Sequence, residues 1–241
     1  MIPPQIKVFP DLNAIAGDAA NRIVELAART IASFGKFSIV LSGGNTPRTL
    51  YELLATEEFR DQIDWARVQI FFGDERCVPP DHADSNFRMA QLALLSKIPV
   101  PGDNIYRIRG EIDPNEAAIE YGRMLKERFG EGGADLTLLG MGPDGHTASL
   151  FPHTEALKET KHRCVPNYVP KFESWRVTIT VPFINKSGQV LILAAGADKA
   201  QALRDVLEGP PRPDHLPIQM IAPASGAMTW LIDISAAEME K

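Results

Sequence analysis

The feature that most constrains this chain is a rhythm: short, β-branched apolar runs alternate with longer stretches of helical periodicity. Strand candidates are IKVF (6–9), FSIVLS (37–42), VQIFFG (68–73), NIYRI (104–108), DLTLLG (135–140), RVTITV (176–181), QVLILAA (189–195), IQMIA (218–222) and MTWLID (228–233). Helix candidates fall between them at 11–34, 46–60, 84–96, 113–129 and 198–208. In the first helix, Leu12, Ile15, Ala16, Ala19, Ile23, Leu26, Ala27 and Ile31 share one face. Several strands are apolar throughout rather than alternating, as expected when helices cover both faces of a sheet. Strand–helix–strand repetition therefore predicts an α/β fold: a doubly wound, mostly parallel, Rossmann-like sheet with helices on both faces. No low-complexity linker divides the chain, and the expectation is one α/β domain over residues 1–241. The rhythm breaks at 152–175 and again at the proline-rich GPPRPDHLP of 209–217. An interruption as long as the first is usually functional or holds small elements of its own.

Composition narrows the function classes. The formal net charge is −6, with no long run of lysine and arginine. Nucleic acid and anionic membrane surfaces are therefore not the expected partners, since both require a basic surface. A local basic pocket for a small anion remains open. The two cysteines, Cys77 and Cys164, lie far apart in no C-x-x-C arrangement, which excludes a disulfide framework and a cysteine-rich zinc site. No H-E-x-x-H or comparable ligand set appears, so no metal is expected. MIPPQIKVFPDLNAIAGDAA lacks a basic segment followed by an apolar one, and no apolar stretch approaches the roughly 20 residues of a membrane span. The expected location is the cytoplasm.

In an open α/β sheet, ligands bind beyond the carboxyl ends of the strands. Four polar clusters meet that condition: SGGNTP (42–47), GDER (73–76), GPDGH (142–146) and GADK (196–199). In the first, paired glycines allow close backbone approach, and Thr46 with Pro47 resembles an N-cap followed by the first helical residue. Free N–H groups at such a helix start form an anion site, although the P-loop pattern is missing. In the second, Asp74 can handle a proton or a hydroxyl and Arg76 can hold an oxyanion, while Glu75 suits structural contacts. In the fourth, Lys199 stands near a helix start, where it can clamp a phosphate over the same crevice.

The third cluster carries most information. Leu138–Pro152 reads LLGMGPDGHTASLFP, whose glycines at 140, 142 and 145 spell G-x-G-x-x-G. A carboxylate at Asp144 would repel a diphosphate, Pro143 removes an N–H donor, and the following helix would have to end near Pro152. No acidic residue follows at the spacing that a ribose contact needs. The dinucleotide reading fails on these mismatches. What remains is an Asp-Gly-His turn, in which a carboxylate two residues from His146 can orient its ring and raise its basicity. Of the other histidines, only His153 lies near enough in sequence to line such a site.

Taken together, LSGGNTPRTLYELL, FFGDERCVPPDHADSNFRMA, GMGPDGHTASLFP and AGADKAQAL resemble, in order and spacing, the 6-phosphogluconolactonase family, within the wider group that includes glucosamine-6-phosphate deaminase. The resemblance runs from roughly residue 37 to 208 and implies hydrolysis of 6-phospho-D-glucono-1,5-lactone to 6-phosphogluconate in the oxidative pentose phosphate pathway. It implies neither cofactor nor metal, and a small phosphosugar lactone as the only partner; a monomer is the expected state. Carried onto this sequence, Ser42, Gly43, Gly44, Arg76 and Lys199 would surround the phosphate, and Asp74, Asp144 and His146 would line the reacting end. Lactone hydrolysis needs a base for water, donors for an oxyanion and a proton for the departing ring oxygen. One histidine can perform both proton steps. His146 is the expected base and then acid, with Asp144 or Asp74 orienting it and backbone N–H groups holding the oxyanion.

TKHRCVPNYVPKFESW (160–175) departs from the family pattern, and Lys161, His162, Arg163 or Arg176 is an open choice for a second cation at the phosphate. Two rival readings stand beside the lactonase. For a glucosamine-6-phosphate deaminase/isomerase the resemblance implies a GHIAFNEP-like continuation with an acidic residue a few positions after the glycine-histidine pair, whereas this chain reads GHTASLFP and its nearest acid, Glu155, lies beyond Pro152. A non-catalytic phosphosugar-binding regulator would keep SGGNTP and Lys199 but would not need Asp74, Asp144 and His146.

Overall fold

The computed structural model describes residues 4–224 and 226–238. Its strands are β1 (Gln5–Phe9), β2 (Phe37–Leu41), β3 (Val68–Phe72), β4 (Asp74–Arg76), β5 (Ile105–Tyr106), β6 (Leu136–Gly140), β7 (Cys164–Val169), β8 (Ser174–Ile179), β9 (Gln189–Ala194) and β10 (Ala227–Asp233). Its helices are α1 (Leu12–Phe34), α2 (Asn45–Leu54), α3 (Glu57–Arg60), α4 (Asn86–Ala93), α5 (Pro114–Phe129), α6 (Val181–Ile184), α7 (Ala200–Leu207) and α8 (Ile234–Ala237). Local chemistry sets the long helices. Asp11 caps α1 by accepting from the Ala14 N–H, and Gly35 ends it in the left-handed conformation at φ 79°. Asp113 caps α5 ahead of Pro114, where a missing N–H costs nothing.

Seven strands form one parallel sheet in the order β1-β10-β9-β6-β2-β3-β5. All five residues of β2 and the first four of β6 are buried, as their unbroken apolar runs predict. Tyr51, Phe37, Phe71, Phe72 and Phe183 are fully buried among the helices that cover this sheet. Each such large apolar side chain contributes about 1.5–3 kcal/mol by leaving water. From β2 the chain builds outward through β3 and β5; from β6 it builds the other way through β9 and β10. The order therefore reverses between β2 and β6, and a crevice opens at their carboxyl ends.

Several elements differ from the sequence expectation. RVTITV joins a second sheet, in which β4, β8 and β7 are antiparallel. CVPNYV, inside the long interruption, is β7, which Pro166 disguises. IQMIA is not a strand but the turn of 3-10 helix Pro217–Met220; Ile218 and Ile221 are buried three residues apart, the 3-10 spacing. The helix expected over 46–60 is broken at Ala55 and Thr56, where the Thr56 N–H and hydroxyl both turn back to Leu53 O. NIYRI pairs only at Ile105 and Tyr106. No helix among the described residues is long and apolar enough to cross a membrane.

Candidate active site

The carboxyl ends of β9, β6, β2 and β3 are consecutive in the parallel sheet, and their loops carry the four polar clusters. They meet around a cavity of about 250 Å³ lined by Ser42, Gly43, Gly44, Asp74, Arg76, His146 and Lys199, with Asn86 between them. Asp144 stands outside that lining, against the His146 ring.

Beyond β2, Tyr51 of α2 clamps the chain in both directions. Its hydroxyl donates to Ser42 O at 2.8 Å and accepts from Ser42 N at 2.9 Å. Gly44, at φ 102°, is the N-cap of α2; the expected cap at Thr46 does not form, because the helix already starts at Asn45. The N–H groups of Asn45 and Thr46 then point to the cavity end of a ten-residue helix, a setting for an anion. A Cβ at Gly43 would overlap the Asn86 amide, so the loop requires glycine there.

Beyond β3, Gly73 joins the two sheets: its N–H donates to Leu41 O at 2.9 Å and its carbonyl accepts from Ile179 N at 2.8 Å. Asp74 is buried, yet both of its carboxylate oxygens are met. Ser149 Oγ donates to Oδ2 at 2.6 Å and Asn86 Nδ2 to Oδ1 at 3.2 Å. Glu75 points away from the cavity and makes structural contacts, as expected. It accepts from Asn86 N, Phe87 N and Ser85 Oγ at 2.7, 2.8 and 3.0 Å, which ties the start of α4 to β4. Burial pushes the Glu75 carboxyl above its ordinary value, against the pull of those N–H groups.

Beyond β6, the Gly142 N–H donates to His146 O at 2.9 Å and the Gly145 N–H to Gly142 O at 3.0 Å, closing a tight turn. Gly145 has φ 71°, and a Cβ at Gly142 would overlap the His146 ring. The ring is held by two neighbours, one of them anchored in turn. Asp144 Oδ1 hydrogen-bonds Nδ1, and Phe151 stacks on the ring face with centroids 4.0 Å apart. Lys171 Nζ donates to Asp144 Oδ2 at 2.9 Å. Burial alone would raise the Asp144 pKa; hydrogen bonds and charges from His146 and Lys171 outweigh it and hold the carboxyl well below the usual range. The second sheet braces Ser149, three residues past the histidine. Thr178 Oγ1 of β8 accepts from Ser149 N at 3.2 Å, and Asn167 Nδ2 of β7 donates to Ser149 O at 2.8 Å.

Beyond β9, Gly196 turns at φ 103° and its N–H donates to Asp233. Lys199 folds back over the strand end, with Nζ donating to Ala195 O at 2.8 Å and pairing with Asp198 at 3.3 Å. Among the described residues no group of three or more His, Cys, Asp and Glu side chains could hold a metal ion.

Of the four open choices for a second cation, Arg176 is the one beside this site. It pairs in register with Arg76, and burial followed by the Arg76 charge depresses its guanidinium below the ordinary value. Lys161, His162 and Arg163 line a different cavity. His153 does not line the site; its ring packs edge-on against His215 at 4.4 Å. Sequence reasoning missed Asn86 and Lys171, each brought in by tertiary structure alone. The serine-asparagine pair after GDER was a usable signal for the first, since Ser85 is a sound N-cap.

Comparison with known proteins adds an independent line. The family model described as glucosamine-6-phosphate isomerases/6-phosphogluconolactonase matches residues 10–230. A 6-phosphogluconolactonase of Nostoc sp. is 39% identical over 239 residues, which cover 96% of each chain. The 6-phosphogluconolactonase of Trypanosoma brucei superposes with a TM-score of 0.86 at 28% identity, covering 98% of both chains. A monomeric glucosamine-6-phosphate deaminase of the NagB superfamily superposes at 0.82 over 98% of this chain and 100% of its own, but at 21% identity, and shares the fold.

Proposed function

Because the chain belongs to the glucosamine-6-phosphate isomerase/6-phosphogluconolactonase family and has 6-phosphogluconolactonase activity, a lactone hydrolysis, we propose that the Asp144–His146 pair moves its protons. The observation that carries this reading is the hydrogen bond between Asp144 Oδ1 and His146 Nδ1 at the cavity wall. With Nδ1 engaged, Nε2 is the nitrogen left for chemistry. It takes a proton from water as that water attacks the lactone carbonyl. Asp144 steadies the imidazolium that results, and the same proton then passes to the ring oxygen as the ester bond breaks. Backbone N–H groups of the glycine turns hold the tetrahedral oxyanion.

The phosphate sits at the other end of the cavity, against Ser42, Gly43, Gly44 and the start of α2, with Arg76 and Lys199 as its cations. Anchoring it there fixes the lactone carbonyl relative to His146, and much of the rate enhancement comes from this positioning. Asp74, engaged through both carboxylate oxygens, keeps Ser149 and Asn86 in place beside the reacting end. The enzyme works on this small phosphosugar lactone as a cytoplasmic monomer of one domain, with neither nucleic acid nor membrane as partner, in keeping with its net charge of −6.

The test generates the lactone in situ with glucose-6-phosphate dehydrogenase and follows acid release against spontaneous hydrolysis. His146→Ala is expected to lower kcat by about 10²-fold or more. A near-normal kcat for that variant moves proton transfer to another residue.

A further inference from the structure

A second cavity, of about 690 Å³, lies between α5 and β7 and shares no lining residue with the first. Its floor is apolar, formed by Ala118, Gly122, Cys164, Val165 and Pro166, and Ile119 forms a largely exposed wall. Its rim is basic: Arg123, Lys126, Lys161 and Arg163 stand around it with the His162 ring, against one acid, Glu159.

The hydrogen bonds show which of these charges are already engaged. Glu159 accepts from the N–H groups of Lys161 and His162 and from His162 Nδ1, so its carboxylate is consumed locally. Arg163 donates to the carbonyls of Gly132 and Gly130. For Arg123, Lys126 and Lys161, no carboxylate among the described residues lies within ion-pairing distance. Three unpaired cations around one cavity are notable in a chain with six more acids than bases.

Gly122 supplies a separate observation. It sits in the interior of α5, where glycine costs about 1 kcal/mol relative to alanine. Packing does not demand it, because a Cβ there would meet Cys164 at 3.8 Å, an ordinary contact. The absent side chain leaves the floor open.

We propose that this cavity binds a nucleotide polyphosphate, with the flat base on the apolar floor and the phosphates against Arg123, Lys126 and Lys161. An apolar floor alone would suit many ligands, and a cationic rim alone would suit any anion. The combination selects a molecule that has both parts.

The experiment is calorimetric titration of the full chain with magnesium-free ATP at low ionic strength. Arg123→Gln with Lys161→Gln is expected to weaken ATP binding by about tenfold or more while lactone hydrolysis stays unchanged. Neutralising two exposed lysines elsewhere, Lys36→Gln with Lys97→Gln, makes the same change in net charge and is expected to leave ATP affinity unaltered. Gly122→Leu fills the floor and weakens ATP by a route that leaves every rim charge in place. Inorganic tripolyphosphate is expected to bind more weakly than ATP. The proposal is overturned if wild-type protein does not bind ATP, or if the rim variant binds it as well as wild type. Equal loss in the control pair, or equal affinity for tripolyphosphate, overturns it too.

Discussion

Lys171 and Asp144, 27 residues apart in sequence, form a 2.9 Å ion pair on the carboxylate that also holds His146. Lys171 sits in the turn between β7 and β8, so the antiparallel sheet delivers a cation to the back of the proposed proton-transfer pair. Lys171 thereby fixes the carboxylate that orients the His146 ring. Lys171→Ala is expected to lower kcat by about two- to tenfold with little change in KM, a modest loss because Lys171 is about half exposed. Lys171→Arg should restore the wild-type rate. An unchanged kcat in the alanine variant would separate Lys171 from the chemistry.

Asp144→Asn tests the carboxylate itself. The wild-type carboxyl is held well below its ordinary value near 3.8 by His146 and Lys171, which outweigh the opposing effect of burial. A depressed folded-state pKa contributes stability that is fully present above the unfolded value and is lost as pH falls through the folded one. Urea titrations should show wild type more stable than Asp144→Asn at pH 7, and the difference should shrink as pH drops below about 4. Turnover at neutral pH should fall by roughly 10²- to 10⁴-fold, the range for removing a carboxylate that orients a catalytic histidine. A stability difference that does not change with pH would mean that Asp144 is not the charged partner.

How legible each part of the site was in the sequence depends on how far apart the contacting residues lie. Asp144 and His146 are two residues apart on one turn, so their pairing is local and could be anticipated. It also resolves which carboxylate faces the histidine, since Asp74 turns to Ser149 and Asn86 instead. The four loops were identifiable because a parallel sheet collects its strand ends on one side. The contact between Ser149 and Asp74 spans 75 residues, and the one between Lys171 and Asp144 depends on a hairpin hidden in an irregular stretch. β7 escaped notice because Pro166 and Asn167 interrupt its apolar pattern, and Asn167 is buried for a polar purpose, holding Ser149 O and Thr154. Thr46 failed as an N-cap because Gly44 begins the helix two residues earlier.

Gly142 separates the two readings of the glycine-rich loop. A dinucleotide site would need glycine for close approach of a diphosphate; here the His146 ring occupies the space where a Cβ would go. Gly142→Ala is expected to displace the ring from Asp144 and lower kcat by about tenfold or more. The fold should survive, because the clash is with a side chain rather than with the sheet. A crystal structure of the variant should show the Asp144–His146 hydrogen bond broken. Full activity with an unmoved ring would remove Gly142 from this role.

Glu75 links stability to the site without touching the cavity. It is 3% exposed, and each carboxylate oxygen meets two donors: Oε1 the N–H groups of Arg76 and Asn86, Oε2 the Phe87 N–H and Ser85 Oγ. All four partners donate, so the site requires an acceptor on both sides. Glutamine has nearly the same shape but turns an NH₂ toward one pair, leaving two buried donors facing a donor. Glu75→Gln is expected to cost about 1–3 kcal/mol, read from the shift in urea midpoint. The start of α4 should loosen with it, and Asn86, whose amide holds Asp74 from that position, should drift. The variant is thus expected to lose kcat more than it raises KM, since Lys199 and the Ser42 loop stay on other anchors while Asn86 and the Arg76 N–H lose theirs. Glu75→Asp keeps both acceptors on a shorter stem and should recover part of the loss. A Glu75→Gln enzyme of wild-type stability would show that these donors find other partners, and the link from Glu75 through Asn86 to Asp74 would then be broken.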